Sequence, residues 1–265
     1  MSLTSLVALP EAAARIRRHF RKPRFRFMRP LLASPQTENH ALVGTAFDYM
    51  LRFLVGRLNP TAVSHSWLAE AGSRFLRGEN RHAAERWVKE AVRQEAAYRA
   101  SGQPTGDLFL SCLRLAHLDM VCRSGIIAEF FGIVDARDVE DMRCLTTVVP
   151  WDHFRAQEVC VLNPCFGWAS ERVGGADADI LVDDTLIELK TTKEASFSVG
   201  NALDQLIGYW ALSELAGVDG APNARIRQIG IYFARHGLLW RTPLSSLATT
   251  VEGEAFLSWL RGYLQ

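Results

Sequence analysis

The sequence has no run of eighteen or more apolar residues, so no membrane-spanning helix and no membrane partner are expected. Its opening, MSLTSLVALP, leans apolar but carries no charged leader, and arginines follow almost at once. That pattern argues against a secretory signal and makes the cytoplasm the expected location. Disulfides are not expected either. The five cysteines, at 112, 122, 144, 160 and 165, are odd in number and no secretory signature accompanies them. Cys160 and Cys165, with Cys144 before them, suggest a metal or iron–sulfur site. Four residues separate the pair, however, and there is no second close pair, so buried thiols and a loop pair are the expectation. The seven histidines form no H-x-x-x-H pair, and GVDG and VGGAD lack the lysine and hydroxyl residue of a P-loop. No internal repeat and no base-reading module such as a zinc finger can be recognised.

What is present is a chain of 265 residues, 48% hydrophobic and 22% charged, long enough for one sizeable core or a core with an added helical subdomain. The net charge of +1 is unevenly placed. The stretch RIRRHFRKPRFRFMR (15–29) holds eight Arg or Lys and no acid, whereas residues 30–265 hold 22 basic and 28 acidic side chains. With Phe25 and Phe27 interleaved, this basic arm suits a phosphate backbone. It suits equally an amphipathic segment laid across an acidic face of its own protein.

Three regions follow from the patterning: a basic arm at 1–30, a helical region at 31–125, and a core at 126–265 packed with the helices as one unit. Apolar spacing predicts helices over 42–58, 61–76, 79–100 and 107–125. Thr45 and Asp48 read as a capping box for the first of them, and Asn59-Pro60 as its stop. Residues 126–165 are irregular. The period then changes from 3.6 to 2, predicting strands at 166–172, 178–182, 185–192, 226–233 and 238–241, with helices at 201–216 and 252–263. Arg235 and His236 fall in a tight turn, which places them at a solvent-facing tip or against phosphate.

The chemistry concentrates in GGADADILVDDTLIELKTTK, residues 174–193. If Asp183 and Asp184 form a two-residue turn, Val182 faces Thr185 and counting outward sets Asp179 opposite Glu188. Directly opposed residues have Cβ atoms about 5 Å apart. Two carboxylates held that close repel unless a cation joins them, and hard oxygen ligands suit Mg²⁺ or Mn²⁺. Lys190 shares a face with Glu188 by the period of 2, so one hairpin presents two acids and an amine together. Asp177 lies on that face too. It is a rival for the first acid, or the anchor of Lys190, across from which it falls in this register.

This segment resembles the PD-(D/E)XK nuclease superfamily, in its RecB-like and lambda-exonuclease-like branch. The first acid sits in ADILV and the second half of the motif is ELK (188–190), with Ala178 in place of the nominal proline. The helix NALDQLIGYWALSEL carries Gln205 and Tyr209 one turn apart, like the Q-x-x-x-Y motif of that branch. The resemblance implies an α/β, restriction-endonuclease-like core: a mixed sheet flanked by helices, here with a helical N-terminal region. It implies Mg²⁺, replaceable by Mn²⁺, on Asp179 and Glu188, with Lys190 steadying the attacking water and Gln205 positioning it or a phosphate oxygen. Asp177, Tyr209 and Lys193 are supporting residues. Relatives use an additional helix glutamate, for which Glu129, Glu158 and Glu171 are candidates, and a glycine with polar neighbours before the core, loosely matched here around His40.

The expected activity is therefore metal-dependent hydrolysis of nucleic-acid phosphodiesters, with DNA the first substrate and RNA the alternative. The competing expectation is a catalytically silent nucleic-acid-binding or scaffold module of the same fold, partnered with a helicase or another protein subunit.

Overall fold

The computed structural model describes residues 2–23 and 26–265, so Phe25 of the basic arm lies outside the described residues. The chain opens with α1 (Leu3–Val7), α2 (Pro10–His19) and the short strand β1 (Arg26–Met28). A helical stretch follows: α3 (His40–Leu58), the two-residue strand β2 (Val63–Ser64), α4 (Leu68–Phe75), α5 (Gly78–Ser101), α6 (Gly106–Ser124) and α7 (Ala136–Thr147). Then come β3 (Cys160–Leu162), α8 (Gly167–Arg172), β4 (Ile180–Val182), β5 (Thr185–Lys190), β6 (Ser196–Ser198) and α9 (Gly200–Ala216). The last elements are β7 (Gln228–Phe233), β8 (Leu238–Pro243) and α10 (Thr250–Leu264).

The architecture is α/β, with a mixed sheet of six strands flanked by helices, in the order β2-β3-β4-β5-β7-β8. The β2/β3 and β5/β7 pairs are parallel and the others antiparallel. Strands β1 and β6 form a separate antiparallel pair. Each face of the large sheet has its own apolar core. Ile180, Val182, Ile187 and Leu189 pack with Phe47, Met50 and Leu54 of α3 on one side. Leu181, Leu186, Ile229 and Ile231 pack with Leu203, Leu206 and Ile207 of α9 on the other. A strand covered on both faces has no polar side to show, which is why ILV and TLI are continuous apolar runs.

Several expected elements differ in the structure. Residues 167–172 form the helix α8 rather than a strand, because Phe166, Ala169 and Val173 recur at helical spacing and all three are buried. The segment 126–165, expected to be irregular, contains α7 and β3. The buried face of α7 includes Asp138 and Asp141 beside Met142 and Leu145, so its apolar period is diluted by acids. The 61–76 stretch divides into β2 and α4. Helix α3 starts at His40, five residues before the expected cap. Thr45 lies inside it, its hydroxyl donating to Ala41 O at 3.2 Å.

The basic arm is docked on its own protein. Ile16 and Phe20 are buried in the α9-side core, Phe27 stacks on Phe197 at 5.5 Å, and Lys22 donates to Asp204 at 2.8 and 2.9 Å. All five cysteines are free, as expected for a chain without disulfides. No helix among the described residues is long and apolar enough to cross a membrane.

Candidate active site on the β4–β5 hairpin

The hairpin turns at Asp183 and Asp184 with the anticipated pairing: Val182 with Thr185, Leu181 with Leu186, Ile180 with Ile187. Asp183 takes a left-handed backbone (φ 52°), which aspartate tolerates better than most residues. Its carboxylate accepts the N–H groups of Gln157, Glu158 and Val159 at 2.8–3.1 Å. Partial burial works against that charge, but the three donors outweigh it and hold the group below the usual carboxylate range. The turn is thereby pinned, and with it the pairing of Ile180–Val182 with Thr185–Ile187, Asp179 standing one residue ahead of the paired strand.

Glu188 is 4% exposed. Lys190 Nζ donates to its Oε1 at 2.6 Å, which shows that the two side chains share a face, while Oε2 is buried without a hydrogen-bond partner. Burial raises the Glu188 pKa against the pull of Lys190. Burial also opposes the Lys190 ammonium, yet Glu188 and Asp179 together leave that group above its ordinary value, so it is a fixed cation at neutral pH. Asp179 Oδ2 accepts the Leu189 N–H at 2.6 Å. Burial, and then the charge of Glu188, push Asp179 up to about 7.

A third carboxylate belongs to this site. Asp48, on α3, is raised to about 7 by burial, opposed by its partner Arg52, with Asp179, Asp119 and Asp177 adding to the rise. Its Oδ1 is buried and unpartnered. The three acids expected as candidates for the extra glutamate, Glu129, Glu158 and Glu171, are all solvent-exposed, and Glu158 stands by the Asp183 turn at the far end of the hairpin. The signal for Asp48 is its context, an acid and an arginine four residues apart inside the apolar helix AFDYMLRF, which the spacing from Thr45 disguises as a helix cap.

Helix α3 reaches the strand ends because Gly44 carries no side chain. A β-carbon there would stand 2.9 Å from the Thr191 hydroxyl oxygen, just beyond Lys190. On the other flank Asp119 of α6, 2% exposed, accepts from Tyr49 and pairs with Arg123, whose Nη2 lies 3.9 Å from Asp177 Oδ2. Among the described residues, the cations paired with Asp48, Asp119, Asp177 and Glu188 are Arg52, Arg123 and Lys190, and Arg52 and Lys190 also act on Asp179. Five acids against three cations leave two negative charges uncompensated if all ionise.

The supporting residues divide. Tyr209 donates to Asp177 O at 2.7 Å and accepts from Gln205 Nε2 at 3.1 Å, so this pair locks the segment leading into β4. Asp177 does not anchor Lys190, which Glu188 holds; its backbone bridges Cys165 and its carboxylate faces Arg123. Lys193 stands at the start of α3, its Nζ 2.8 Å from His40 Nε2 and 4.0 Å from Glu38. Arg235 and His236 occupy neither a solvent-facing tip nor a phosphate site. Arg235 is 1% exposed, forked onto Asp141 at 2.7 and 2.9 Å, and His236 is buried against Pro30 O and Phe197.

A cavity of about 660 Å³ adjoins the site through Asp177, with Trp67 on its wall. No family model, curated protein or solved structure matches this chain.

The fit of a divalent ion therefore rests on the side chains themselves. Among the described residues, no group of three or more His, Cys, Asp or Glu is gathered into a ready metal cage. Yet Asp48 Oδ1 and Glu188 Oε2 are buried carboxyl oxygens without a hydrogen-bond partner, and such atoms are costly unless a cation or donor reaches them. Oxygen donors in net negative surroundings fit a hard divalent ion.

Proposed function

We propose that this chain is a divalent-metal-dependent nuclease with a restriction-endonuclease-like core and a PD-(D/E)XK site, hydrolysing phosphodiesters of DNA. One observation carries the reading: Glu188 is bonded to Lys190, the charges of Asp48, Asp179 and Glu188 act on one another, and Asp48 Oδ1 and Glu188 Oε2 are buried without a hydrogen-bond partner. Asp179 and Glu188, helped by Asp48, would hold Mg²⁺ or Mn²⁺. When bound, that ion supplies Lewis-acid polarisation of the phosphate and a more acidic water.

The chain's own groups supply the rest. Lys190, kept protonated by Glu188, provides a positive charge where negative charge grows on the phosphoryl oxygens, and orients the attacking water. The Leu189 N–H fixes the Asp179 carboxylate, so that its free oxygen keeps one direction. Gln205 and Tyr209 hold the Asp177 segment in place through the Asp177 carbonyl.

The test is incubation of the purified chain with single- and double-stranded DNA, and with RNA, in Mg²⁺ or Mn²⁺. Cleavage that disappears with chelator and in Lys190→Ala supports the assignment. Turnover that persists in Lys190→Ala, or none on any substrate, removes it. Calorimetric titration with Mn²⁺ adds a readout independent of turnover: Asp179→Asn and Glu188→Gln should each weaken binding about tenfold or more.

The closed Lys190–Glu188 pair favours a second reading, a silent binding or scaffold module of this fold serving a helicase or another subunit. It predicts nucleic-acid or protein binding that survives removal of both acids, without turnover.

A further inference from the structure

Helix α2 lays Ala12 and Ile16 into the core, and Phe20, just beyond it, packs edge-on against Trp210 and Phe256 at 5.9 and 5.4 Å. This anchoring fixes the position of the residues around it. Arg17 and Arg18 are left on the outer face, while Arg21 and Lys22 are carried to the start of α9. Together with Arg26 of β1 they line a concavity of about 630 Å³ that also includes Ser198 and Gly200.

The charges in this concavity are poorly compensated. Lys22 is paired with Asp204, and Arg26 donates to Ser196 O at 3.4 Å. Arg17, Arg18 and Arg21 form no ion pair among the described residues. Glu252 is the one acid among the described lining residues, and its carboxylate is taken up by the N–H and hydroxyl of Thr249. The first turn of α9, which closes one side, carries no acid. Guanidinium groups gathered this way repel one another and do nothing to hold the fold, so their arrangement suits a polyanion.

The concavity is connected to the hairpin site through helix α9. Lys22 is held on Asp204, the residue before Gln205. From Gly200 to Gln205 is about 7.5 Å along the helix axis, at 1.5 Å per residue. Gln205 in turn bonds Tyr209, which bonds Asp177 O just ahead of the hairpin.

We infer that this arginine pocket binds backbone phosphates of a DNA strand that runs to the Asp179–Glu188 site. The identity of the strand rests on the nuclease reading; the pocket itself stands on its charge and shape. Because it grips phosphate rather than base edges, the grip is independent of sequence. It fixes how the strand enters the site.

The test measures binding apart from turnover, by fluorescence anisotropy of a labelled DNA oligonucleotide with the full chain in EDTA. The exposed arginines are changed together, as Arg17→Ala/Arg18→Ala/Arg21→Ala, with Arg17→Lys/Arg18→Lys/Arg21→Lys as the charge-keeping variant. Arg74→Ala/Arg77→Ala/Arg86→Ala, exposed on the far helices, removes the same charge elsewhere. The expected result is binding at least about tenfold weaker in the first triple, near wild type in the lysine triple and in the far triple. The salt slope of log K should fall by about two to three, one for each phosphate that is no longer neutralised.

Equal weakening in both alanine triples, or no weakening in the first, overturns the pocket even if metal-dependent cleavage is observed. Pocket-dependent binding without cleavage leaves the pocket standing and removes the nuclease reading instead. Displacement of the oligonucleotide by inorganic phosphate at equal phosphate concentration overturns the strand assignment. So does arginine-dependent binding to phosphatidylserine vesicles when oligonucleotide binding is insensitive to the arginines.

Discussion

Gly44 of α3 packs so closely on Thr191 that a β-carbon added to the glycine would stand 2.9 Å from the threonine hydroxyl oxygen. That approach sets how near Asp48, one turn further along α3, comes to Asp179 and Glu188. Gly44→Ala should be nearly neutral, since the gain of about 1 kcal/mol in helix propensity is offset by a short shift of Thr191. Gly44→Val should cost about 1–3 kcal/mol in chemical denaturation and weaken Mn²⁺ binding. Adding Thr191→Ala to the valine variant should recover part of both effects; strict additivity would show that this packing does not govern the spacing.

Asp48 and Asp179 give the metal-free protein an inverted acid dependence. Both carboxyls bind their protons more tightly in the folded chain, at about 7, than in the unfolded chain, near 3.8. Between those values the native state holds more protons. Their contribution is full below about pH 4 and is lost as pH rises through 7. For Asp48 alone this amounts to roughly 2–4 kcal/mol. Thermal unfolding in EDTA across this range should therefore show a falling component that flattens in Asp48→Asn. In Mg²⁺ the fall should shrink, because the ionised acids gain a partner. A wild-type profile no steeper than that of the variant would count against a buried, protonated Asp48.

Removing the lysine charge strands its partner. Lys190→Met leaves Glu188, 4% exposed, without its one hydrogen-bond donor. A destabilisation of about 1–3 kcal/mol at neutral pH is expected, below the 3–5 typical of fully buried pairs because Lys190 is partly exposed. Glu188→Gln in the same chain should restore most of it, and urea titration of the single and double variants measures the coupling.

The Arg235–Asp141 pair bears on stability, and the same guanidinium donates to Thr191 O at 3.3 Å and Ala33 O at 3.2 Å. Arg235→Ala leaves Asp141 buried with no cation and should cost about 3–5 kcal/mol. An Arg235→Met/Asp141→Leu double variant should regain most of that. In the folded double variant, DNA affinity and its salt slope should match wild type. A drop in the slope would return Arg235 to the phosphate-binding groups.

The hairpin was legible in the sequence because its signals agree: two apolar runs, a turn made of two aspartates, and an acid-x-lysine at period 2. Helix α9 was legible for the same reason, with Leu203, Leu206 and Ile207 forming one stripe. Helix α7 was not, since the face it buries holds Asp138 and Asp141. Asp141 is satisfied by an arginine 94 residues away, and Asp138 by Asn39 of the loop before α3. Local patterning contains neither partner. Asp48 escaped for a related reason: its meaning comes from Asp179, in the bend just ahead of β4 and far away in sequence. The N-terminal arm could be read as charge but not as α1 and α2, whose partners lie on α9 and α10.

Those partners have a bearing on the order of folding. The Arg21 N–H is bonded to Leu247 O, Glu11 accepts from the Trp259 indole, and Phe20 rests on Phe256. Residues 11–21 thus complete their seating only when residues 247–259 are in place. Until then the arginine-rich stretch is held through its partners on α9 and β6. Closure between distant parts of a chain is slow, so this edge of the protein sets late, and loosening α10 would free it first.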